Sequence, residues 1–219
     1  MDPERLRVYL ASLEPDPSPL IGEMEAYAAD HRVPVVRRET AAFLKTLVAL
    51  RDPGEILEVG TAIGYSALRM CEALGKGGHI TTVEKMEERI TLARAYIKRA
   101  EEDARITLLT GDAAEVLGTL AGPYDFIFLD AAKGQYLALL PELERLTAPG
   151  GVLVTDNIFQ EGTVLESRFG VRRRDRTIHS RMREYLFQLK HREAWETALV
   201  PVGDGVAVSV RRRMDEESL

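Results

Sequence analysis

Five short, mostly apolar runs separated by helix-length segments constrain this chain more than any other feature. They are EILEVG (55–60), HITTVE (79–84), RITLLTGD (105–112), YDFIFLD (124–130) and GVLVTDN (151–157). Strands that leave no face for water belong to a parallel sheet covered by helices on both sides. Between them lie stretches of helical spacing: YSALRMCEAL, a long charged segment from Met86, AAEVLGTLA and QYLALLPELERL. A further helix over about 177–191 leads into WETALVPVGDGVAVSVRR, two strands joined at the turn signal Gly203-Asp-Gly. The first fifty residues read as helical, from Pro3 to Leu10, from Pro19 to about His31, and, after the extended break Val33-Pro-Val-Val, from a cap at Thr40.

The expected fold is therefore α/β: a doubly wound, mostly parallel seven-stranded sheet with an antiparallel C-terminal edge hairpin and N-terminal helices. A single domain over 1–219 accommodates it, with a helical addition at 1–50 and the α/β core at 55–212. A length of 219 residues suits one domain, and neither a repeat nor a linker divides the chain.

Composition narrows the chemistry. Cys71 is the only cysteine, which excludes a disulfide framework and a cysteine-rich zinc site. The four histidines lack metal-ligand spacing and read as surface or capping residues. MDPERLRVYL carries no apolar core of a signal peptide, and no apolar run reaches the roughly 18 residues of a membrane span. A cytoplasmic protein without a membrane partner is expected. Net charge is −6, yet Arg168–Arg183 holds seven arginines against Asp175 alone, a local +6 on a body of −12. Such a stripe is either a solvated helix face or a surface for polyanions.

Ligands of an open α/β sheet bind beyond the carboxyl ends of its strands. Strand one ends Glu58-Val-Gly60-Thr-Ala-Ile-Gly64-Tyr-Ser66, strand two in Glu84, strand three in Gly111-Asp112, strand four in Asp130 and strand five in Asp156-Asn157. Ala62 stands where a dinucleotide fingerprint requires its middle glycine, so the loop is not built to approach a pyrophosphate. An acid such as Glu84 accepts from ribose hydroxyls, and Asp112 falls where an adenine edge would lie. The combination suits an adenosine ligand without a diphosphate, S-adenosylmethionine rather than NAD. Asp130, Asp156 and Asn157 form an all-oxygen set suited to Mg²⁺ or another hard divalent cation. The same residues read equally well as a helix cap and an Asx turn. Lys133, one short turn after Asp130, is the candidate general base.

The stretches EVGTAIGYSA, FLDAAKGQY, VTDN and PVGDGVAVS resemble the metal-dependent class I O-methyltransferases, which include the catechol and caffeoyl-CoA enzymes, over about residues 20–212. Within them AIGYSA, DAAKGQY, the arginines before Thr177 and PVGDG are similar to the bacterial tRNA 5-hydroxyuridine methyltransferases. The resemblance implies a Rossmann-like methyltransferase fold. It places S-adenosylmethionine at Val36, Glu58, Gly60, Ser66, Glu84, Asp112, Ala113 and Asp130, and Mg²⁺ at Asp130, Asp156 and Asn157. Lys133 matches the catalytic lysine. The expected reaction is methylation of wobble 5-hydroxyuridine in tRNA to 5-methoxyuridine, with a small catechol-type acceptor as the alternative. The anticodon region would meet Arg172, Arg173, Arg174 and Arg176, with Tyr136, Phe159 and Phe169 as stacking candidates. A homodimer is also implied.

Overall fold

The structure, a computed structural model, describes residues 3–213. Three helices, α1 (Pro3–Leu13), α2 (Pro19–His31) and α3 (Arg38–Arg51), precede the first strand. The strands are β1 (Glu55–Val59), β2 (His79–Glu84), β3 (Ile106–Thr110), β4 (Tyr124–Leu129), β5 (Thr147–Thr155), β6 (Trp195–Val200) and β7 (Val206–Arg211). Helices α4 (Tyr65–Cys71), α5 (Glu87–Arg99), α6 (Ala113–Thr119), α7 (Tyr136–Leu146) and α8 (Arg176–His191) connect them. All seven strands form one sheet in the order β3-β2-β1-β4-β5-β7-β6. Pairing is parallel from β3 to β5 and antiparallel for β5–β7 and β7–β6. The expected architecture is present.

Helices cover both faces because the inner strands β1, β2 and β4 bury both, while the edge strands β3 and β6 stay partly exposed. On one face Ile56, Phe126 and Val154 pack with Leu44 of α3, Met70 of α4 and Ile97 of α5. On the other Leu57, Ile127 and Leu153 pack with Leu143 of α7, Met182 of α8 and Leu117 of α6. Leu139, Leu140, Leu143 and Leu146 line one side of α7 at helical spacing and are at most 1 % exposed. Each such side chain contributes roughly 1.5–3 kcal/mol by burial. Asp112 caps α6, accepting from the Ala114 N–H at 3.1 Å.

Three local expectations change. Helix α3 starts at Arg38, so Thr40 lies inside it, 1 % exposed, against Gly203. Contact with the β6–β7 turn outweighs its capping propensity. Strand β5 starts at Thr147, and the Ala148-Pro-Gly-Gly stretch enters it as an irregularity where the register with β4 shifts. His179 is a core residue, 2 % exposed, with its Nε2 at 3.1 Å from the Glu166 carbonyl oxygen.

Candidate functional site

The parallel strands bring their carboxyl ends to one rim, where β1 lies between β2 and β4 and the winding reverses direction. A cavity of about 520 Å³ opens there, in the size range of small-molecule sites. Gly60 has φ 109°, and a Cβ on it would lie 2.1 Å from the Asp130 carbonyl oxygen. Only glycine lets the β1 loop cross the end of β4 this closely. Ala62 is left-handed (φ 47°) despite its side chain, and its N–H donates to Glu84 Oε2 at 2.9 Å. The other Glu84 oxygen accepts from the N–H groups of Lys85 (2.8 Å) and Met86 (3.0 Å). Glu84 therefore staples two loops together, and its oxygens keep lone pairs for ligand hydroxyls.

Val36, Gly60, Ser66, Glu84, Ala113 and Asp130 all line this cavity. Glu58 and Asp112, the other two expected donor-site residues, stand outside the lining. The Glu58 side chain lies on the face of β1 that α4 covers and is fully buried, accepting from the Thr82 hydroxyl. Burial pushes its carboxyl up to about 7, while the Ser66 and Thr82 hydroxyls pull it back. Asp112 is turned toward its capping bond, with Lys85 Nζ at 3.3 Å and Gln135 Nε2 at 3.3–3.4 Å. The Ala114 N–H holds its carboxyl below the ordinary range, with Gln135 and Lys85 adding to the effect. Gly111 and Ala113, the residues on either side, meet the cavity instead.

Asp130, Asp156 and Asn157 converge. Asn157 Nδ2 donates to Asp130 Oδ1 at 3.3 Å and to Asp156 Oδ2 at 3.1 Å. Asp130 caps no helix: the 3₁₀ turn Lys133–Gln135 has Ala132 at its cap position. Asn157 takes a left-handed φ of 56°, and its N–H donates to Asp156 Oδ1 at 2.7 Å. Burial raises the Asp130 carboxyl, opposed by Asn157, Lys133 and Arg89. Burial also pushes Asp156 up to about 7, with the Asp130 charge adding to it. Two buried carboxyls bonded to one amide, neither favoured as an anion by its burial, are suited to a bound cation. Among the described residues no trio of His, Cys, Asp and Glu side chains gathers to hold a metal. The third oxygen must come from Asn157, whose amide would present Oδ1 when turned over. This donor set fits a hard divalent cation.

A second cavity of about 450 Å³ adjoins, and Lys133 and Asn157 line both. Its other walls include Arg37, Gln160, Glu161, Asp175, Ile178 and Asp204. None of these six stood among the expected site residues. Asp204 was within reach as the polar residue of the Gly203-Asp-Gly turn, which reads locally as a hairpin tip. Arg37 and Gln160 carry no local signal.

The arginine stripe divides. Arg176 Nε donates to the Val171 carbonyl at 3.1 Å, Arg181 to that of Gly134 at 3.1 Å, and Arg183 to that of Val164 at 3.3 Å. These three hold loops in place. Arg168, Arg172, Arg173 and Arg174 are exposed in the segment before α8, and Arg174 pairs with Asp175 at 3.6 Å. Arg176 is half-buried and uses Nε for this loop contact, unlike the exposed arginines before it. Of the three stacking candidates, Tyr136 is fully buried and Phe159 packs against Gly205, leaving Phe169, 88 % exposed, as the free ring.

Comparison with known proteins agrees with this fold. The O-methyltransferase family profile matches residues 16–213. The chain is 38 % identical to a catechol O-methyltransferase of Niastella koreensis over 57 % of this chain and 58 % of that protein. It thus spans somewhat over half the length of that relative. It is 29 % identical to a caffeoyl-CoA O-methyltransferase of Medicago sativa over 86 % of this chain and 80 % of that one. The crystal structure of a Bacillus cereus O-methyltransferase in complex with SAH superposes with a TM-score of 0.84 at 25 % identity, covering 95 % of this chain and 97 % of that chain. The chain belongs to the O-methyltransferase family.

Proposed function

We propose that this O-methyltransferase moves a methyl group from S-adenosylmethionine to one hydroxyl of a small catechol-type acceptor, assisted by a divalent cation. The observation that carries the reading is the convergence of Asp130, Asp156 and Asn157 between the two cavities, with a basic side chain, Lys133, lining both. A cation held by these three residues would supply chelation of two neighbouring acceptor oxygens and a lowered hydroxyl pKa.

The chain's own residues do the rest. Gly60, Ala62 and Glu84 shape the donor cavity, which Val36 also lines. Lys133 takes the acceptor's hydroxyl proton at Nζ. The S–CH₃ bond breaks as the O–CH₃ bond forms, leaving a methyl ether and S-adenosylhomocysteine, and the ammonium passes its proton to water. Holding donor and acceptor in adjoining cavities turns a bimolecular encounter into an oriented one.

The test is methyl transfer from labelled donor to catechol before and after EDTA treatment. EDTA should abolish turnover and Mg²⁺ restore it. Asp156→Ala should lower kcat by about 100-fold or more while the donor Kd stays within about threefold, since Asp156 lies off the donor cavity's lining. Undiminished turnover after exhaustive chelation would remove the cation from the reading.

A second acceptor has its own observation in favour. The exposed Arg168, Arg172, Arg173 and Arg174 are suited to phosphate contacts. 5-Hydroxyuridine in tRNA carries a chelating pair too, in O5 and the O4 carbonyl, so the same oxygen-donor site would serve it.

A further inference from the structure

Among the described residues three cations line the donor cavity, Lys85, Arg89 and Lys133. Two of them face carboxylates: Lys85 Nζ lies 3.3 Å from Asp112, and Lys133 Nζ 4.0 Å from Asp204. Other donors of the lining are engaged as well. Tyr65 Oη donates to Glu25, Gln135 Nε2 to Asp112, and Asn157 Nδ2 to Asp130 and Asp156. Arg89 differs: it is half-buried, and among the described residues no ion pair or hydrogen bond engages its guanidinium. A guanidinium drawn partly out of water with no protein carboxylate to neutralise it favours an anion brought by a ligand.

Its place on α5 decides which part of the donor it meets. The helix begins at the rim, just after Glu84, and packs on the glycine loop through Ala93, whose Cα and Cβ lie 3.6 Å from where a Gly64 side chain would begin. Arg89 is one turn earlier on the same face of α5, so it stands at the cavity's edge beside the loop that leads into Ser66. The Arg89 charge reaches Asp130, whereas the cation felt at Asp112 is Lys85. The second cavity does not include Arg89 in its walls. Arg89 therefore faces the donor, on the side of Asp130 and not of Asp112.

S-adenosylmethionine carries one anionic group, the α-carboxylate of its methionine tail. That carboxylate enters a rim whose walls already hold the acids Glu84 and Asp130, so it is repelled unless a cation stands beside it. We propose that Arg89 binds the donor's α-carboxylate through its guanidinium fork and so selects a donor with an intact methionine tail. The inference rests on the donor half of the reading given above, and on neither the acceptor nor the divalent cation. The carboxylate keeps its charge from S-adenosylmethionine to S-adenosylhomocysteine and takes no part in the bond changes. Arg89 thus contributes equally before, during and after transfer, which acts on the donor KM and leaves kcat alone.

The test compares two ligands by calorimetric titration: S-adenosylmethionine, and decarboxylated S-adenosylmethionine, which keeps the sulfonium, the amine and the adenosine and lacks only the carboxylate. Arg89→Leu should weaken S-adenosylmethionine about tenfold, the low end for a charge-assisted pair because Arg89 is partly solvated. The decarboxylated compound should stay within twofold of its wild-type Kd. S-adenosylhomocysteine should lose the same factor of about ten. Equal losses for the two ligands would overturn the inference, since Arg89 would then act on the adenosine or on the fold, and so would no loss for either.

Arg89→Lys keeps the charge without the fork and should show a smaller loss with the same preference between ligands. If circular dichroism shows Arg89→Leu to be unfolded, the same ratio of affinities in Arg89→Lys and Arg89→Gln decides. In methyl transfer the donor KM should rise about tenfold in Arg89→Leu with kcat within twofold, and a tenfold fall in kcat at saturating donor would overturn the uniform contribution. A wild-type chain that binds neither S-adenosylmethionine nor S-adenosylhomocysteine would overturn the donor reading and this inference together. Wild-type binding with an unselective loss in the variants would overturn the inference alone.

Discussion

At the scale of single residues, Glu58 shows what burial does to a carboxyl beside a ligand cavity. It lies fully inside the protein beneath α4, and Asp130 and Glu84 add like charge to the burial that already pushes it up to about 7. Unfolded, the same group titrates near 4.5. The folded chain therefore holds this proton more tightly, and the stability it confers is complete below about pH 4.5 and lost as the pH rises through 7. Glu58→Gln carries no titrating group there. The stability of wild type relative to Glu58→Gln should fall between pH 4.5 and 7.5, by on the order of 3 kcal/mol, in urea denaturation followed by circular dichroism. A difference that stays flat over that window would show that Glu58 does not titrate in it.

Among elements, the N-terminal helices do more than thicken one face. The chain between α2 and α3 places Pro34, Val35 and Val36 against the donor cavity. Glu25 of α2 holds this cover in place. It accepts from Tyr65 Oη of α4 at 2.8 Å with one oxygen and from Arg38 Nε of α3 at 2.9 Å with the other. Tyr65, itself a wall of the cavity, is 1 % exposed, so three helices are joined at the donor's edge. A partly buried charge-assisted bond is worth about 1.5 kcal/mol, or roughly tenfold in an equilibrium constant. Arg38 is half exposed, which discounts its share. Glu25→Ala should accordingly weaken S-adenosylmethionine binding by about three- to tenfold in calorimetry and leave the acceptor KM unchanged. Unaltered donor affinity would mean that the cover holds without its latch.

Over the whole molecule, the charge pattern separates the two acceptors. An acidic body repels polyanions at long range, so the proposed tRNA acceptor would have to be drawn by the local field of Arg168, Arg172, Arg173 and Arg174. Reversing Arg172, Arg173 and Arg174 to Glu should raise the KM for hydroxyuridine-containing tRNA by about tenfold or more and flatten its dependence on salt. Turnover of catechol should not change, since the exposed arginines lie outside the lining of both cavities. If the triple variant methylates tRNA as wild type does, the arginines serve solubility and the tRNA reading loses its support. Among the described residues no helix is long and apolar enough to cross a membrane.

By itself the sequence determined the architecture and the chemical inventory. Apolar runs with acids at their ends encode a doubly covered sheet with a carboxylate-lined rim, because hydrophobic period and turn chemistry act over a few residues. That is why Asp130, Asp156 and Asn157 were legible as one oxygen-donor set, and Gly60 and Glu84 as the frame of the donor loop. Against the alternative of a cap and an Asx turn stand Ala132 at the cap position after β4 and the Ile158 N–H, which donates to the Gly205 carbonyl instead of to Asp156. Tertiary structure alone decided that the C-terminal hairpin docks through β7 on β5, which carries Asp204 to Lys133 across 71 residues of chain. It likewise turned Asp112 to its capping bond, buried Tyr136, and set Arg176, Arg181 and Arg183 to holding carbonyls while Arg168, Arg172, Arg173 and Arg174 stayed exposed. Where a side chain ends up bonding depends on what the rest of the fold brings within about 3 Å of it, and no local pattern carries that information.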